Sequence, residues 1–485
     1  MATSSSSVSS QIQPVIVVGS GLAGLSAATQ LVSHHIPVNM LESAIKPGGH
    51  AIKATSGING APTRFQPVKD DREFFNDTVK SAGSVLIHAA ANDRSQRERL
   101  ISTLTESSAA AVHWLADEKD IDLSKVTQLG GHTHPRTHRG AGQSAPPGKS
   151  IVSTLLNSLN GNSFFQLRTS SRVTKVVREG DRVTGVEYTR EEEDNNKSDM
   201  LHGPVVFASG GFAGDTHGML AKYRPDLAGL PTTNEPRKGS HPLLEEIGAA
   251  LVDMDRVQVH PTGFLDPNDR SAVVKLLAPE ALRGEGGVLL SRDGSRFVNE
   301  LDTREHIANV IMHSVCPMET TTLRQWDVTL VLDEGAAASA SSHMQFYLSK
   351  GLIRKTIVGE LGPSALRTLQ AYADAVSGRK QDTFGRTSFG RWALMDVAPD
   401  SIVYAGKVTP VVHFTMGGVR INERSEVLDG RGVPIKGLWA TGEVSGGVHG
   451  QNRLSGSSLL ECVVFGRIAG DEAAAFHKKY YTHSP

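Results

Sequence analysis

The chain has 485 residues, 39% hydrophobic and 21% charged, the composition of a folded globular protein rather than a disordered or fibrous one. Fifty Lys and Arg against 51 Asp and Glu leave a formal net charge of −1, which offers no broad basic field to a nucleic-acid backbone or an anionic membrane. The two cysteines, Cys316 and Cys462, are too few for a disulfide framework, an iron–sulfur cluster or a haem attachment. Electron chemistry, if any, rests on an organic cofactor, and no metal site is expected.

At this length one core normally divides, so two domains, or one large domain carrying an insertion, are expected. No apolar run approaches the ~20 residues of a membrane helix, and the protein is expected to be soluble. Residues 1–10 are Ser-rich and read as a flexible N-terminus, with neither a secretory signal nor the arginines of a mitochondrial presequence. The closing His483-Ser484-Pro485 matches no peroxisomal or retention signal. A cytoplasmic location is expected, with mitochondria as the alternative. Most of the 19 histidines are scattered, as in His34-His35, His132, His134 and His138, and read as solvated loop residues.

Taken in order, Pro14–Val18 is a β-branched run ended by glycine, and Leu25–Val32 reads as an Ala- and Leu-rich helix. Val38–Glu42 supplies a second strand, which completes a βαβ unit of the expected length. Val173–Val177 and Val183–Tyr188, joined through Gly180-Asp181-Arg182, read as a hairpin, followed by an exposed polar loop at 191–199. Val205–Ala208 and Gly437–Ala440 read as further strands of the first sheet. Between them, residues 256–412 carry helical patterns and glycine-punctuated loops without a second dinucleotide fingerprint, as an inserted domain would.

Gly19-Ser20-Gly21-Leu22-Ala23-Gly24 has GxGxxG spacing, follows a strand and opens a helix. Gly19 suits the tight turn, Gly21 lets a pyrophosphate approach the backbone, and Gly24 lets helix and strand pack closely. The phosphates then lie on free N–H groups at the helix N-terminus, beside Leu22 and Ala23. Glu42 ends the second strand, where its carboxylate accepts from ribose hydroxyls and repels a ribose phosphate. FAD or NAD fits these residues; NADP does not.

Pro47-Gly48-Gly49-His50, Ala54-Thr55-Ser56-Gly57-Ile58-Asn59-Gly60, Ala208-Ser209-Gly210-Gly211-Phe212 and Gly442-Glu443-Val444-Ser445-Gly446-Gly447 follow. Together these segments resemble the flavoprotein family of fumarate reductases and succinate dehydrogenases, above all its soluble FAD-dependent fumarate reductases, over about residues 14–475. The resemblance implies FAD as the cofactor. It implies an α/β fold, with a Rossmann-like FAD-binding domain (11–255 and 413–478) and an inserted α+β capping or clamp domain (256–412). It further implies FAD contacts from Gly49, His50, Ser56, Gly57, Ala208 and Gly210. Glu443 matches the glutamate that holds the ribityl chain. The helix opening at Ser457-Ser458-Leu459 points its N-terminus at the flavin pyrimidine edge, where a helix end stabilises negative charge by ~0.3–1 kcal/mol at exposed sites. His50 aligns with the histidine that membrane-bound relatives bond covalently to FAD; a hydrogen bond to the flavin is the other reading.

A dicarboxylate flanking a double bond needs cationic or donor groups at both ends and a proton donor opposite the hydride source. His260-Pro261-Thr262, Glu280 to Arg283, Thr303-Arg304-Glu305, His413 to Gly418 and His449 to Arg453 resemble the family's active-site segments in the same order. The resemblance implies that Arg453 and His413 grip one carboxylate and His260 the other, that Arg304 donates the proton, and that Glu280 and Arg283 refill it. Glu280 and Arg283 are three apart, on one face of a helical turn, where an ordinary ion pair is the alternative. Pro279 stands where bacterial relatives carry a threonine that bonds the substrate, so that contact is replaced or the dicarboxylate preference differs. The expected activity is reduction of fumarate to succinate with a diffusible electron donor such as reduced free flavin. The alternatives are a related flavoenzyme acting on another unsaturated acid or on aspartate, and a non-catalytic flavin-binding redox sensor.

Overall fold

The computed structural model describes residues 13–141, 146–190, 198–319 and 323–481. The Ser-rich N-terminus, the C-terminal tripeptide and positions 191–197 of the expected polar loop lie outside the described residues. Ser198 and Asp199, expected in that loop, instead begin a strand, Ser198–His202, because their backbone pairs with Thr189 and Tyr188.

The chain opens with β1 (Val15–Val18), whose four β-branched residues are all buried, as in a parallel strand covered on both faces. It continues through α1 (Leu22–Ser33), longer at both ends than its apolar run, into β2 (Val38–Leu41). Next come β3 (Phe165–Arg168), the hairpin β4 (Ser171–Glu179) and β5 (Arg182–Arg190), then β6 (Ser198–His202) and β7 (Val205–Phe207). Pro434–Ala440 returns to pair parallel with β7. Among the described residues these strands, with Glu426–Leu428, form a nine-stranded sheet. Its core order is β3, β2, β1, β7, then the Pro434–Ala440 strand, β5 and β4. The expected hairpin and both later strands therefore belong to the first sheet.

A second, five-stranded sheet is antiparallel and is assembled from β8 (Val257–Phe264), Val288–Leu290, Val328–Leu332, Arg354–Ile357 and the long strand Ile402–Thr415. Its own apolar cluster includes Phe264, Leu282, Ile307, Leu330 and Val412. The architecture is thus a Rossmann-like α/β unit joined to an α+β capping unit. The strand Ile402–Thr415 runs across position 412 and carries His413 from the second sheet back toward the first.

The last helix, α2 (Ser457–Tyr481), lies along α1. Gly466 and Gly470 make this close approach: a Cβ on either would come within 2.7 Å of the carbonyl oxygen of Ala23 or Ala27. The contact brings the N-terminus of α2 to the same edge of the sheet as the N-terminus of α1. Among the described residues, no helix is long and apolar enough to cross a membrane.

Candidate active site

Chain direction reverses at Gly19, where φ is +103° and a Cβ would fall 2.4 Å from the carbonyl oxygen of Ala208; only glycine fits this turn. A Cβ on Gly24 would lie 2.0 Å from Gly19 O, so Gly24 sets the helix-to-strand distance and stays out of the groove. At Gly21, by contrast, the nearest atom to such a Cβ is 3.9 Å away. No side chain caps α1 at Gly21, and its first N–H groups are open to an anion. Glu42, 4% exposed, accepts from Ser20 N (3.0 Å), Ser20 Oγ (2.6 Å) and Ala44 N (2.8 Å). Oε2 already accepts twice, while Oε1, beyond Ala44 N, has only a 3.4 Å contact from Ser43 Oγ and is the oxygen with room for a ribose hydroxyl.

One groove is lined by Gly19, Gly21, Leu22, Ala23, Glu42, Gly49, His50, Ala208, Gly210 and Glu443. A cavity of about 440 Å³ adjoins it, and His50, Ser56, Gly57, Glu443, Ser458 and Leu459 line its cofactor side. Ser457 lies outside both, fully buried, where its hydroxyl accepts from Asn59 Nδ2 at 2.9 Å. An uncapped helix start, an open glycine and a ribose acceptor at one end, with a broad cavity at the other, fit a flavin dinucleotide. Glu443 Oε1 accepts from Thr415 N (2.9 Å) and Oγ1 (3.1 Å), and removal from water pushes this carboxyl up to about 7. Burial, helped by Lys53, pushes His50 down to about 4, which leaves it neutral at physiological pH.

On its far side the same cavity reaches Arg304, His413, Phe414 and Arg453. They arrive from three places: Arg304 from a helix, His413 and Phe414 from the strand Ile402–Thr415, and Arg453 from the segment just before α2. Thr303 caps a helix running Arg304–Ser314 by accepting from His306 N, so Arg304 is the first helical residue. Glu280 and Arg283 share the short helix Glu280–Gly284, which starts after Pro279. His260 stands on β8, and His413 is on the neighbouring strand, with ring centroids 5.4 Å apart. Arg453 lies over the Phe414 ring at 4.2 Å.

Glu280 is the hub. Its Oε2 accepts from Arg304 Nε at 2.8 Å and from Ser455 Oγ, with Arg283 Nη2 at 3.7 Å, and its Oε1 accepts from Gly130 N at 2.5 Å. The Glu280–Arg283 pair is therefore real but is the looser of the two Arg contacts. Burial opposes charge on Glu280, yet Arg304 and Arg283 outweigh it and hold the carboxyl down at about 2. Burial, reinforced by Arg304, lowers Arg453 to about 9. Burial also lowers Arg283, to about 10, although Glu280 works against it. The same two influences, burial and then Arg304, hold His260 and His413 well below the usual imidazole range, so both are neutral.

A neutral imidazole has one donor. His260 Nδ1 accepts from Thr262 N at 3.2 Å, which leaves the proton on Nε2, a buried atom without a partner. Arg453 Nε and Arg283 Nε and Nη2 are buried without a hydrogen bond too, Nη2 having only its 3.7 Å ion-pair contact with Glu280. His413 Nδ1 pairs with Thr233 Oγ1 at 2.9 Å. Arg304 and Arg283 share Glu280, Arg453 lies among Glu443, Glu461 and Glu280, and the spare buried donors of His260, Arg283 and Arg453 are ones that an anionic ligand would fill.

Several participants escaped the sequence reading. Gln258 Oε1 accepts from both Arg304 Nη1 (3.1 Å) and Arg453 Nη2 (2.9 Å) and so ties the two arginines together. The signal was its spacing: it lies two residues before His260, on the same face of one strand. Phe414 lies in the His413 to Gly418 segment already singled out, though without a role of its own; Thr233 and Ser455 gave no such signal. Two of the scattered histidines need correction. His138 is fully buried and contacts Thr63 Oγ1, while His132, 6% exposed, accepts from Arg136 Nη1 at Nδ1 and donates from Nε2 to Ser455 O. Burial with fixed partners, not solvation, describes both.

A family model described as an FAD binding domain matches residues 14–459. The chain is 42% identical to fumarate reductase 1 of Saccharomyces cerevisiae, over 96% of this chain and 99% of that protein. It is 38% identical to the fumarate reductase of Schizosaccharomyces pombe, over 95% of this chain and 89% of that one. Among solved structures, the open conformation of a flavocytochrome c3 fumarate reductase superposes with a TM-score of 0.72 at 31% identity, covering 96% of this chain and 78% of that chain. With a family model running almost from end to end and relatives matched over most of their length, the chain belongs to the FAD-binding fumarate reductase flavoproteins, and FAD is its cofactor.

Proposed function

We propose that this FAD-dependent oxidoreductase, acting on CH–CH bonds, reduces fumarate to succinate, with Arg304 as the proton donor. The observation that carries the reading is the contact of Arg304 with Glu280 at 2.8 Å on the wall of a cavity that also holds Arg453, His413 and the cofactor-side residues. The yeast relatives named as fumarate reductases support the substrate.

Bound FAD supplies the hydride. The protein supplies the rest. Arg453, through its unpartnered Nε, and His413 hold one carboxylate, and His260 donates its orphaned Nε2 proton to the other. Gripping both ends fixes the double bond and draws electron density toward the carboxylate next to the carbon that becomes basic. Arg304 then releases a proton to that carbon. A guanidinium is an unusual acid, since its free pKa exceeds ~12, but a carbanion beside a carboxylate is a far stronger base. Glu280, already hydrogen-bonded to Arg304 Nε, takes a proton from the Arg283 side and returns it to Arg304. One hydride and one proton convert fumarate to succinate.

In this reading residues 256–412 act as a cap that carries Glu280, Arg283 and Arg304 over an FAD-binding unit made of residues 11–255 and 413–478. With a single dinucleotide groove assigned to FAD, the electrons come from a diffusible donor such as reduced free flavin. The test is an anaerobic assay of purified protein with chemically reduced flavin and a panel of fumarate, aspartate and urocanate. Fumarate-dependent reoxidation supports the reading. Turnover with aspartate or urocanate alone replaces the substrate, and no turnover with any leaves a flavin-binding sensor.

A further inference from the structure

We propose that Ser455 is a positioning residue for the proton relay, its hydroxyl fixing the Glu280 oxygen that faces Arg304. The inference rests on the relay proposed above and extends it to an uncharged residue outside the charged side chains of that relay.

A carboxylate side chain can rotate about its last bond, and a relay that depends on one oxygen facing one guanidinium needs that rotation stopped. Three donors stop it here. Gly130 N holds Oε1 at 2.5 Å; Ser455 Oγ and Arg304 Nε share Oε2. Gly130 cannot be replaced without disturbing this, because a Cβ there would lie 2.8 Å from Glu280 Oε1 and 2.7 Å from Asp302 O.

Ser455 is itself built in rigidly. It is 2% exposed, and its carbonyl accepts from Asn59 Nδ2 at 2.8 Å and from His132 Nε2 at 3.0 Å. His132 is oriented by Arg136 Nη1 at 2.9 Å, and Arg136 is clamped by Asp71 (2.9 and 3.0 Å) and Asp77 (2.5 Å). His132 and Gly130 belong to one turn, Leu129–His132, closed by His132 N donating to Leu129 O, so the groups that hold the two oxygens of Glu280 share a single anchor. Ser455 also lies two residues before Ser457, the first residue of α2, whose Ser458 and Leu459 line the cofactor side of the cavity. The position of the cofactor-side helix and the aim of Glu280 are therefore linked through one residue.

A serine hydroxyl donating to a carboxylate stabilises its anionic form. Ser455→Ala removes that donor and leaves Oε2 held by Arg304 Nε alone, with only Gly130 N on the other oxygen. The expected result is a kcat for fumarate reduction lowered about tenfold, the size of one lost charge-assisted hydrogen bond. KM and bound FAD stay unchanged, and the acid limb of the kcat profile moves to higher pH. Ser455→Cys, which keeps a weaker donor in place, gives an intermediate kcat and displacement, and it decides the matter if the alanine variant fails to retain FAD. Wild-type kcat and pH profile in the variant that retains FAD overturn the role of Ser455. Glu280→Gln, run alongside, separates the two claims. If it turns over normally the relay itself is lost, whereas if it is inactive while Ser455→Ala behaves as wild type, only Ser455 is released from its role.

Discussion

Arg304 Nε and Glu280 Oε2 meet at 2.8 Å although the residues are 24 apart in sequence and stand on different helices. Both are buried, Arg304 at 5% exposure and Glu280 at 1%. A buried guanidinium at the first position of its helix has no support from the helix dipole, which disfavours a cation there. Glu280 offsets this and leaves the rest of the guanidinium directed to Gln258 and the cavity.

Arg304→Lys should therefore lower kcat for fumarate by about 10²–10⁴, the range for loss of a general acid, because a shorter ammonium cannot keep both the Glu280 contact and the reach into the cavity. FAD content and flavin absorbance should stay as in the wild type, since Arg304 lines the cavity but not the dinucleotide groove. Stopped-flow turnover beside a flavin spectrum checks both halves. Near-normal turnover removes Arg304 as donor.

Gln258→Ala should act through two arginines at once. The carboxamide oxygen is shared by Arg304 Nη1 and Arg453 Nη2, while its Nε2 donates to Asn452 Oδ1 (3.0 Å) and Arg453 O (2.8 Å). Without it two buried cations lose their common acceptor and repel each other with nothing between them. The expected outcome is a fall in kcat/KM for fumarate of about 10–100-fold, the cost of leaving buried charged donors unpaired, with FAD retained. Steady-state kinetics on the variant, compared with Arg453→Ala, tests the coupling: the double variant should lose less than the two single losses combined.

How much of this was legible in the sequence depends on how local the information is. The strand, turn and helix around Gly19 to Gly24 were readable because each requirement is met within a few residues. The charged site was not readable from spacing: only Glu280 and Arg283 are neighbours on one element, and theirs is the longer contact, 3.7 Å against 2.8 Å to Arg304. The convergence of His260, Arg304, His413 and Arg453 came from family resemblance. Gln258 carries no signal when residues 256–412 are read as helical patterns and glycine-punctuated loops, with no strand placed at 257–264; there it belongs to a strand whose alternate residues share a face. His132 was misread because its neighbours are polar and its burial depends on Arg136, whose acidic partners Asp71 and Asp77 lie 65 and 59 residues away.

The fingerprint glycines should separate in their effects. Gly21 has φ −69° and ψ 178°, angles open to any residue, and a Cβ there meets nothing within 3.9 Å. Gly21→Val should fold, giving a wild-type circular dichroism spectrum, yet lose FAD, since the added methyls project into the groove. Gly19→Ala should instead destabilise the protein with or without cofactor, by more than the roughly 1 kcal/mol of a left-handed alanine, because its Cβ strikes the Ala208 backbone at 2.4 Å. A Gly21→Val protein that purifies with full FAD would contradict the assignment of this groove.

Acid should unfold this protein earlier than its near-neutral charge suggests. His50, His132, His138 and His241 are each held down to about 4, chiefly by burial, His477 is lowered by burial as well, and His260 and His413 lie well below the usual range. A histidine whose pKa is depressed by folding binds fewer protons in the native state than in the unfolded chain. Its stabilising contribution is complete above its unfolded pKa of about 6.5 and is lost as pH falls toward 4. Glu443 works in the opposite sense. Its carboxyl, raised to about 7, favours the folded state below its unfolded pKa, and that contribution fades as pH climbs from 4.5 to 7. Glu280, held at about 2, adds nothing to this window, since its contribution is lost only below pH 4.5. Seven histidines against one glutamate decide the sign: between pH 6.5 and 4.5 stability should fall as pH is lowered. Urea unfolding of the FAD-bound protein at pH 7.0, 6.0 and 5.0 should show a midpoint that drops at each step. A midpoint that holds steady or rises would mean that these imidazoles are not buried as neutral rings.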